Sequence, residues 1–514
     1  MENNNQKGIL PERFRCHPSI ILEELGALFI VIVFAIMGNV GDMVGEIQNG
    51  GLESDDTKIT ILLMLGGLIL IVALIVGMFV RRWSKTYISI VDNTIVWEKN
   101  TLNKKKNTIG IKNISNVNIE QNILEMILGT CKVKLDTNSL STADSTDFKI
   151  VLKKARADLF RKRVMELMRE EEGAGLPSSS EDRQFDMPDV FEEQNYDIKA
   201  SASNLFSHGL CSIHIFSVLI AFGSILGVYF GIKNAGGKNG ELLSMLSTII
   251  VVGVMFFSAV YNIARGFFQY YGFQAKRFEN KIYLRYGLFK KVNYAIPTSK
   301  INAVCLRQTF IARLCRKYSV ELVNVGMGDE QQEESSFLLW FNSLEQTREY
   351  LNQLLPEFDM WESENTISFE KQPLSSLFVK VLSTAWYWVI LAGLIFFFNE
   401  FDKSFVLPLC IGGGAVLIMM WLNILLSMCN DGISLGSRYM TTVYGRFAKT
   451  YKWIAYDKIQ YVQLQQNIWT KKMGIVKGSV FVLASLKNRV QNLPYFSSEK
   501  AEVLKERILK GNIW

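Results

Sequence analysis

The stretch Lys300-Ile301-Asn-Ala-Val304-Cys-Leu-Arg-Gln308 carries a pattern that occurs three times in this chain. The other copies are Lys458-Ile459-Gln-Tyr-Val462-Gln-Leu-Gln-Gln466 and Asn113-Ile114-Ser-Asn-Val117-Asn-Ile-Glu-Gln121. In each copy valine follows isoleucine by three residues, and glutamine follows it by seven. The isoleucines are 187 and 158 residues apart. A period of this length indicates a repeated domain rather than a solenoid.

Composition places part of the chain in lipid. The 514 residues are 49% hydrophobic and 20% charged, whereas soluble proteins average about 25% charged. The net charge of +7 is modest, and no nucleic-acid-binding motif is present, so we expect no nucleic-acid partner. Seven cysteines without a C-x-x-C pair indicate reduced thiols. Three histidines offer no metal-ligand spacing, and we expect no metal, cofactor or catalytic residue.

Apolar segments precede each copy of the pattern in pairs. The second segment of the first pair, 59–80, has no charged residue in 22 positions, and about 20 apolar residues span a bilayer. The loop 39–58 holds five acidic residues and one lysine, whereas Arg81 and Arg82 follow the pair. By the positive-inside rule, the N-terminus and the segments after each pair are expected to be cytosolic. We therefore predict a multi-pass plasma-membrane protein with six helices in three hairpins.

The segment after each hairpin alternates like β-structure and ends in a helix. Asp92-Asn93 separates two alternating runs, which is a two-residue hairpin signal. A short helical patch at 123–128 ends at Gly129, and 155–171 has helical spacing. Ten acidic and two basic residues between 170 and 199 predict a flexible linker.

These observations predict nine consecutive segments. They are a cytosolic segment 1–19, hairpin 20–80, domain 81–171, acidic linker 172–204, hairpin 205–265, domain 266–358, linker 359–373, hairpin 374–429 and domain 430–514.

The order of hairpin, strands, repeated Ile/Val/Gln pattern and terminal helix resembles the bacterial pleckstrin-homology-like (PH-like) membrane proteins. The three-copy arrangement is similar to their YdbT-like branch. The resemblance implies a PH-like β-sandwich or split barrel of about seven strands capped by a C-terminal helix. It also implies a membrane protein without an assigned reaction. Two positions depart from the shared pattern: Asn113 stands where Lys300 and Lys458 stand, and Arg316 stands where the other copies have Gly129 and Gly474.

The repeated pattern itself admits a structural and a ligand-binding interpretation. Isoleucine and valine three residues apart do not face the same way in a regular strand, which favours a bulge or a strand buried on both sides. The glutamine is expected to satisfy backbone groups where the ladder ends. The structural interpretation covers these residues: Asn113, Ile114, Val117, Gln121, Lys300, Ile301, Val304, Gln308, Lys458, Ile459, Val462 and Gln466.

A lysine turn precedes each copy of the pattern. If these turns face the bilayer, each lysine gains about 1 kcal/mol from anionic headgroups. The alternative is a solvated turn in which lysine protects a strand edge. The residues are Lys104, Lys105, Lys106, Lys290, Lys291, Lys449 and Lys452.

Gly223, Gly227 and Gly231 lie four residues apart on one predicted helix. This small-residue face favours close helix packing, with a hinge as the alternative.

Function separates into three classes. We expect a non-enzymatic membrane-anchored scaffold that binds proteins, with membrane lipids as further partners. The protein partner is a related membrane protein with fewer PH-like domains, as the resemblance suggests, or a second copy. The alternative is a transporter or lipid-handling protein built from three repeated hairpins, although no broken helix is evident. No nucleophile elbow, P-loop or paired-carboxylate pattern supports an enzyme.

Overall fold

A computed structural model describes most of the chain. It describes residues 11–26 without 24, 55–137 without 102, 148–173, 196–213, 264–324, 336–358 and 369–511 without 402 and 485, with isolated positions between 223 and 261. The chain divides into two compact units. Unit 1 contains residues 1–138, 147–190 and 290–294, and unit 2 contains 139–146, 191–289 and 295–514. Each unit is described by itself.

The first module is built from a four-stranded antiparallel sheet, three antiparallel strands of a second sheet and a terminal helix. Asp92 and Asn93 have φ angles of 47° and 55°, so the predicted two-residue hairpin forms. The elements are β1 (Arg13–Phe14), α1 (Asp55–Ser84), β2 (Thr86–Val91), β3 (Thr94–Asn100), β4 (Lys104–Gly110), β5 (Ile114–Gln121), α2 (Ile123–Leu128), β6 (Thr130–Thr137), β7 (Phe148–Lys153) and α3 (Lys154–Gly173).

The second module repeats this order of elements. They are β8 (Ile198–Lys199), α4 (Ala202–Cys211), β9 (Gln274–Phe278), β10 (Lys281–Tyr286), β11 (Lys291–Pro297), β12 (Ile301–Gln308), α5 (Phe310–Leu314), β13 (Tyr318–Asn324), β14 (Ser336–Asn342) and α6 (Leu344–Leu354).

The third module repeats it again. Its elements are β15 (Glu370–Lys371), α7 (Ser375–Leu382), α8 (Ala385–Phe401), α9 (Val406–Asn430), β16 (Gly432–Leu435), β17 (Tyr439–Gly445), β18 (Lys449–Ala455), β19 (Ile459–Gln465), α10 (Ile468–Lys472), β20 (Ile475–Val482), α11 (Leu486–Arg489), β21 (Val490–Ser497) and α12 (Ser498–Gly511).

A short strand before each predicted hairpin belongs to the module that follows the hairpin. β1 pairs with β2, β8 with β9, and β15 with β16, always antiparallel. The sequence analysis placed these residues in the terminal segment and the two linkers, because a two-residue strand has no periodicity to recognise. Each predicted hairpin is therefore inserted between the first and second strands of its module.

Two helical segments of the described chain are long and apolar enough to cross a membrane. They are Ser375–Phe401 and Lys403–Asn430, with mean hydropathies of 2.0 and 2.2. The charge-free segment 59–80 lies in the 30-residue helix α1. Most of the first predicted helix and most of the second hairpin lie outside the described residues. The structure thus supports the third hairpin directly and leaves the number six a prediction.

The core of the first module lies between its two sheets and α3. Buried side chains from both sheets, such as Ile88, Val117 and Val133, pack with Phe160 and Val164 of α3. The terminal helix therefore closes one side of the sandwich, as a capped PH-like module requires.

The second and third modules share a sheet instead of forming separate closed domains. Strand β12 of the second module pairs with β13 on one side and with β18 of the third module on the other. The third module's core accordingly includes Ala303, Cys305 and Val323 from the second. Sequence periodicity defines which faces of a strand are buried but not which strand lies beside it, so this sharing was not predicted.

One backbone position tests why the copies differ. Gly129, Arg316 and Gly474 are equivalent and have φ angles of 64°, 53° and 64°. An L-residue in this left-handed region costs about 1–2 kcal/mol. We expect Arg316→Gly to stabilise the second module by about 1 kcal/mol, and Gly474→Ala to destabilise the third by a similar amount, measured by chemical denaturation. A Cβ at Gly474 has no atom within 4 Å, so a clash does not confound the comparison.

Candidate functional site

The repeated pattern occupies the same local structure in all three modules. A one-turn 3-10 helix precedes each strand, and a register shift follows its isoleucine: Ile114/Asn116, Ile301/Ala303 and Ile459/Tyr461. The bulge lets isoleucine and valine both enter the core; Ile301 and Val304 are fully buried. The three-residue spacing favoured a bulge or a strand buried on both sides; all three copies have the bulge, and β12 is also buried on both faces.

The glutamine of the pattern closes the loop that follows it. Gln121 Nε2 donates to Thr130 O at 2.8 Å, Gln308 Nε2 to Lys317 O at 3.2 Å, and Gln466 Nε2 to Ile475 O at 3.0 Å. The acceptor is always nine residues later, at the first residue of the next strand or directly before it. The side chain therefore satisfies a backbone carbonyl at the end of the ladder, as expected.

The residue before each isoleucine differs in its surroundings. Lys458 Nζ donates to Ser299 O at 3.3 Å and lies 3.7 Å from the Asp457 carboxylate. Asn113 lies beside the backbone of Gly110. These contacts are structural; whether the pattern also touches a ligand stays a prediction.

The shared sheet has a defined register that repeats along the chain. In unit 2, Gln308 lies opposite Lys449 and Leu306 opposite Tyr451. In unit 1, Gln121 lies opposite Lys291. At both junctions the glutamine of one module therefore lies opposite the lysine that begins a strand of the next module, Lys291 of β11 or Lys449 of β18. We call this arrangement the strand junction.

Unit 1 buries an ionic cluster at its strand junction. The Glu120 carboxylate lies 2.8 Å from Lys134 Nζ and 3.2 Å from Lys290 Nζ, and it accepts a hydrogen bond from the Tyr294 hydroxyl. The side chains of Glu120 and Lys134 are only 3% and 4% exposed. Burial alone would raise the pKa of Glu120, but the two lysines outweigh it and the pKa is lowered.

The equivalent positions in the other modules carry different charges. Arg307 and Glu321 replace Glu120 and Lys134; their charged atoms lie 3.3 Å apart, and both side chains are partly exposed. In the third module the positions are Gln465 and Ser479, which carry no charge. The motif strand of the third module is therefore neutral where the other two are charged.

The lysine turns differ between modules. Lys104, Lys105 and Lys106 are exposed on β4, and Lys106 lies 3.5 Å from Glu98. Lys449 is half-buried over the rings of Phe369 and Tyr451, and Lys452 donates to Gln491 Oε1 at 2.7 Å. Burial lowers the pKa of Lys449, and Arg313 and Lys371 lower it further. Lys290, Lys291, Lys449 and Lys452 help form the junctions, whereas Lys104, Lys105 and Lys106 do not. Whether any of them faces lipid stays a prediction.

A short helix with exposed apolar side chains follows each copy of the pattern. Ile127 on α2 is 75% exposed, Leu314 on α5 is 71% exposed, and Ile468 on α10 is 75% exposed. In unit 2 the Trp469 ring lies 6.0 Å from that of Phe378, on the first membrane-length segment. Exposed apolar groups at a helix end beside a membrane segment are typical of an interfacial contact. The sequence analysis found the helix 123–128 but not this recurrence.

The β-hairpin formed by β17 and β18 also contacts a membrane-length segment. Arg446, at its tip, donates to Asn423 Oδ1 at 2.8 Å and forms a 3.1 Å ion pair with Asp431. Arg313 on α5 donates to Asn430 Oδ1 at 3.1 Å. Hairpin tip and short helices thus lie at one edge of unit 2, which we call the membrane-proximal edge.

Unit 1 contains a basic cavity of about 460 Å³ beside the end of α1. Five basic side chains line it, together with the Tyr87 ring: Arg13, Arg15, His17, Lys153 and Arg156. The guanidinium carbons of Arg13 and Arg15 lie 4.1 and 4.5 Å from the centre of that ring. The cavity also includes the N-terminal end of α3, whose dipole favours anions.

The charges in this basic cavity are incompletely balanced. Arg13 forms a 2.9 Å ion pair with Glu98, whereas Arg15 donates to the Tyr87 hydroxyl. Within the described part of the chain, no carboxylate pairs with Arg15, Lys153 or Arg156. Burial lowers the pKa of His17, and Lys153 lowers it further. The sequence signal was Arg13-Phe-Arg15 before the first apolar segment, and nothing in that spacing indicates a cavity.

The remaining predicted residues are the three glycines. Gly223 is an isolated described position with no atom within 4 Å of an added Cβ, and Gly227 and Gly231 lie outside the described residues. The glycine face therefore stays a prediction. Among the described residues, no group of three or more histidine, cysteine, aspartate or glutamate side chains is placed to hold a metal ion.

Comparison with known proteins identifies the repeat. The profile of the family described as "Bacterial PH domain" matches residues 29–168, 219–355 and 383–512. A relative, the UPF0699 transmembrane protein YdbT of Bacillus subtilis (strain 168), is 20% identical over 299 residues, covering 56% of this chain and 60% of the relative. The match thus spans less than two thirds of that relative. No solved structure matches the chain significantly.

Proposed function

Because the chain belongs to the bacterial PH domain family, we propose that it is a non-enzymatic, multi-pass membrane scaffold. It presents three PH-like modules on the cytosolic face of the plasma membrane, where they bind protein partners and anionic headgroups. The observation that carries this proposal is the strand junction between β12 and β18. Adding a strand to a sheet edge is a common mode of protein recognition, and this chain uses it to join its own modules.

The membrane arrangement supports the same function. Two membrane-length helices lead into the third module, and the relative YdbT is described as a transmembrane protein. The membrane-proximal edge places apolar side chains beside these helices. We propose that the remaining hairpins complete six spans and that all three modules lie on the cytosolic side, as the acidic loop 39–58 and the basic residues 81–82 suggest.

The scaffold function predicts a stable complex in the native membrane. The full-length tagged chain, extracted in mild detergent, is expected to run as an assembly larger than one chain with a stoichiometric protein component. Size-exclusion chromatography with light scattering and mass spectrometry measures this, and an unrelated tagged multi-pass protein is the control. A chain that extracts alone and transports solute when reconstituted in liposomes would favour the transporter instead.

A further inference from the structure

The two ends of the module series carry unpaired strand edges of complementary kind. Strand β4 ends the first sheet of unit 1, and strand β19 ends the last sheet of unit 2. The strands equivalent to β19 are β5 and β12, and the strands equivalent to β4 are β11 and β18. These four strands form the two strand junctions, β5 with β11 and β12 with β18. Within the described residues, β4 and β19 are the two strands of this set without a junction partner.

Exposure shows what a junction would cover. Tyr461 on β19 is 50% exposed, whereas its equivalent Ala303 on β12 is fully buried. Val462 and Leu464 are partly exposed, whereas Val304 and Leu306 are fully buried. An exposed edge strand that carries no charge, as β19 does, is an open template for pairing.

The direction of each strand relative to the membrane decides which strand fits. β19 is followed by α10, which contacts the first membrane-length segment through Trp469, so β19 runs toward the membrane. The Asn100 N–H donates to Lys85 O at 2.8 Å beside the end of α1, and Asn100 lies opposite Lys104. β4 therefore starts near the membrane and runs away from it.

This geometry excludes the symmetric alternative. Two β19 strands pair antiparallel only if one copy is inverted across the membrane. β19 and β4 pair antiparallel when both copies have the same topology. Charge agrees with this choice: β19 has no charged residue to oppose the three lysines of β4, whereas Arg307 of β12 would face them with like charge.

We infer that β19 of one copy pairs antiparallel with β4 of a second copy of this chain, in the register of the internal strand junctions. That register places Gln465 opposite Lys105, Gln463 opposite Asn107 and Tyr461 opposite Ile109. The contact is head-to-tail, so it propagates into a ring or a linear array along the membrane. This inference rests on the proposed scaffold function and names its partner.

A disulfide test uses an internal pair as its standard. Cys305 lies opposite Lys452 in the observed junction, and Gln463 and Asn107 are the equivalent positions between copies. Two full-length, differently tagged chains in a cysteine-free background carry Asn107→Cys and Gln463→Cys, both at exposed sites. A third chain retains only Cys305 and carries Lys452→Cys. All three chains are treated in native membranes with the oxidant, or the shortest thiol cross-linker, that is found to link the internal pair.

The expected result is a covalent pair of the two tagged chains, at a yield within about threefold of the internal link. Replacing Gln463→Cys by Gln460→Cys, three residues out of register, should lower that yield at least tenfold. Failure of the two chains to link, while the internal pair links, overturns the inference. A link that forms only within a single chain that carries both Asn107→Cys and Gln463→Cys also overturns the inference. If the copies fail to link but the chain still isolates with another protein, the scaffold function stands and the second copy is the wrong partner.

Discussion

Glu120→Ala is expected to lower the free energy of local unfolding in β5 and β6 by about 3–5 kcal/mol, because it leaves the buried ammonium group of Lys134 without its 2.8 Å carboxylate partner. In the full-length chain in detergent, amide hydrogen exchange of residues 114–137 should accelerate by at least about a hundredfold. Lys290, which is 33% exposed, can turn toward water and adds less to the loss.

The equivalent pair in the second module is the matched control. Arg307 and Glu321 occupy the same two positions with reversed charge, but their side chains are 42% and 21% exposed. Because water reaches both side chains, the pair is expected to contribute about 0–1 kcal/mol, as exposed pairs do, and Glu321→Ala should change exchange in β12 and β13 less than about fivefold. Equal effects of the two substitutions would show that burial is not what makes the Glu120 cluster important.

The Glu120 cluster also has a defined pH dependence. The pKa of Glu120 is lowered in the folded chain, so its ionised form stabilises the fold. The stabilisation is fully present above the ordinary value of 4.5 and is lost as the pH falls through the lower folded value. A Glu120→Leu, Lys134→Met double variant should lose this dependence while recovering most of the stability.

The sequence predicted the local structure well because the relevant signals are local. The hairpin at Asp92-Asn93, the helix ending at Gly129, the bulge after each isoleucine and the contact of each glutamine follow from spacing and side-chain chemistry. Arg316 has the same left-handed backbone conformation as Gly129 and Gly474, which agrees with the alignment of the three copies by position.

Features that depend on which strand meets which were beyond the sequence. The junction between β12 and β18 joins residues about 145 apart, and both strands alternate as they would in separate domains. The strands β1, β8 and β15 are too short to show a pattern. In the basic cavity, residues 13–17 meet Tyr87 and Arg156, which only the folded sandwich brings together.

We expect the cationic side chains inside the basic cavity to bind an anionic headgroup directly, beyond the general attraction due to the net charge of the chain. Arg15→Gln, Lys153→Gln and Arg156→Gln together remove three cations that have no carboxylate partner within the described residues. A basic residue near anionic lipid contributes about 1 kcal/mol, so we expect the triple variant to bind short-chain phosphatidylglycerol about a hundredfold more weakly. Calorimetry on the full-length chain in neutral detergent measures the dissociation constant.

The lysine strand supplies a control of equal charge. Lys104→Gln, Lys105→Gln and Lys106→Gln remove the same three charges from β4, outside the cavity. If the cavity is the binding site, this variant binds within about twofold of the unsubstituted chain. Short-chain phosphatidylcholine tests for the anionic group, and glycerol phosphate tests whether the acyl chains contribute. Equal weakening by both triple variants would instead show a diffuse attraction that includes the lysine turns. Salt separates the two cases as well: 1 M salt removes a diffuse attraction, whereas a contact inside the cavity is screened much less.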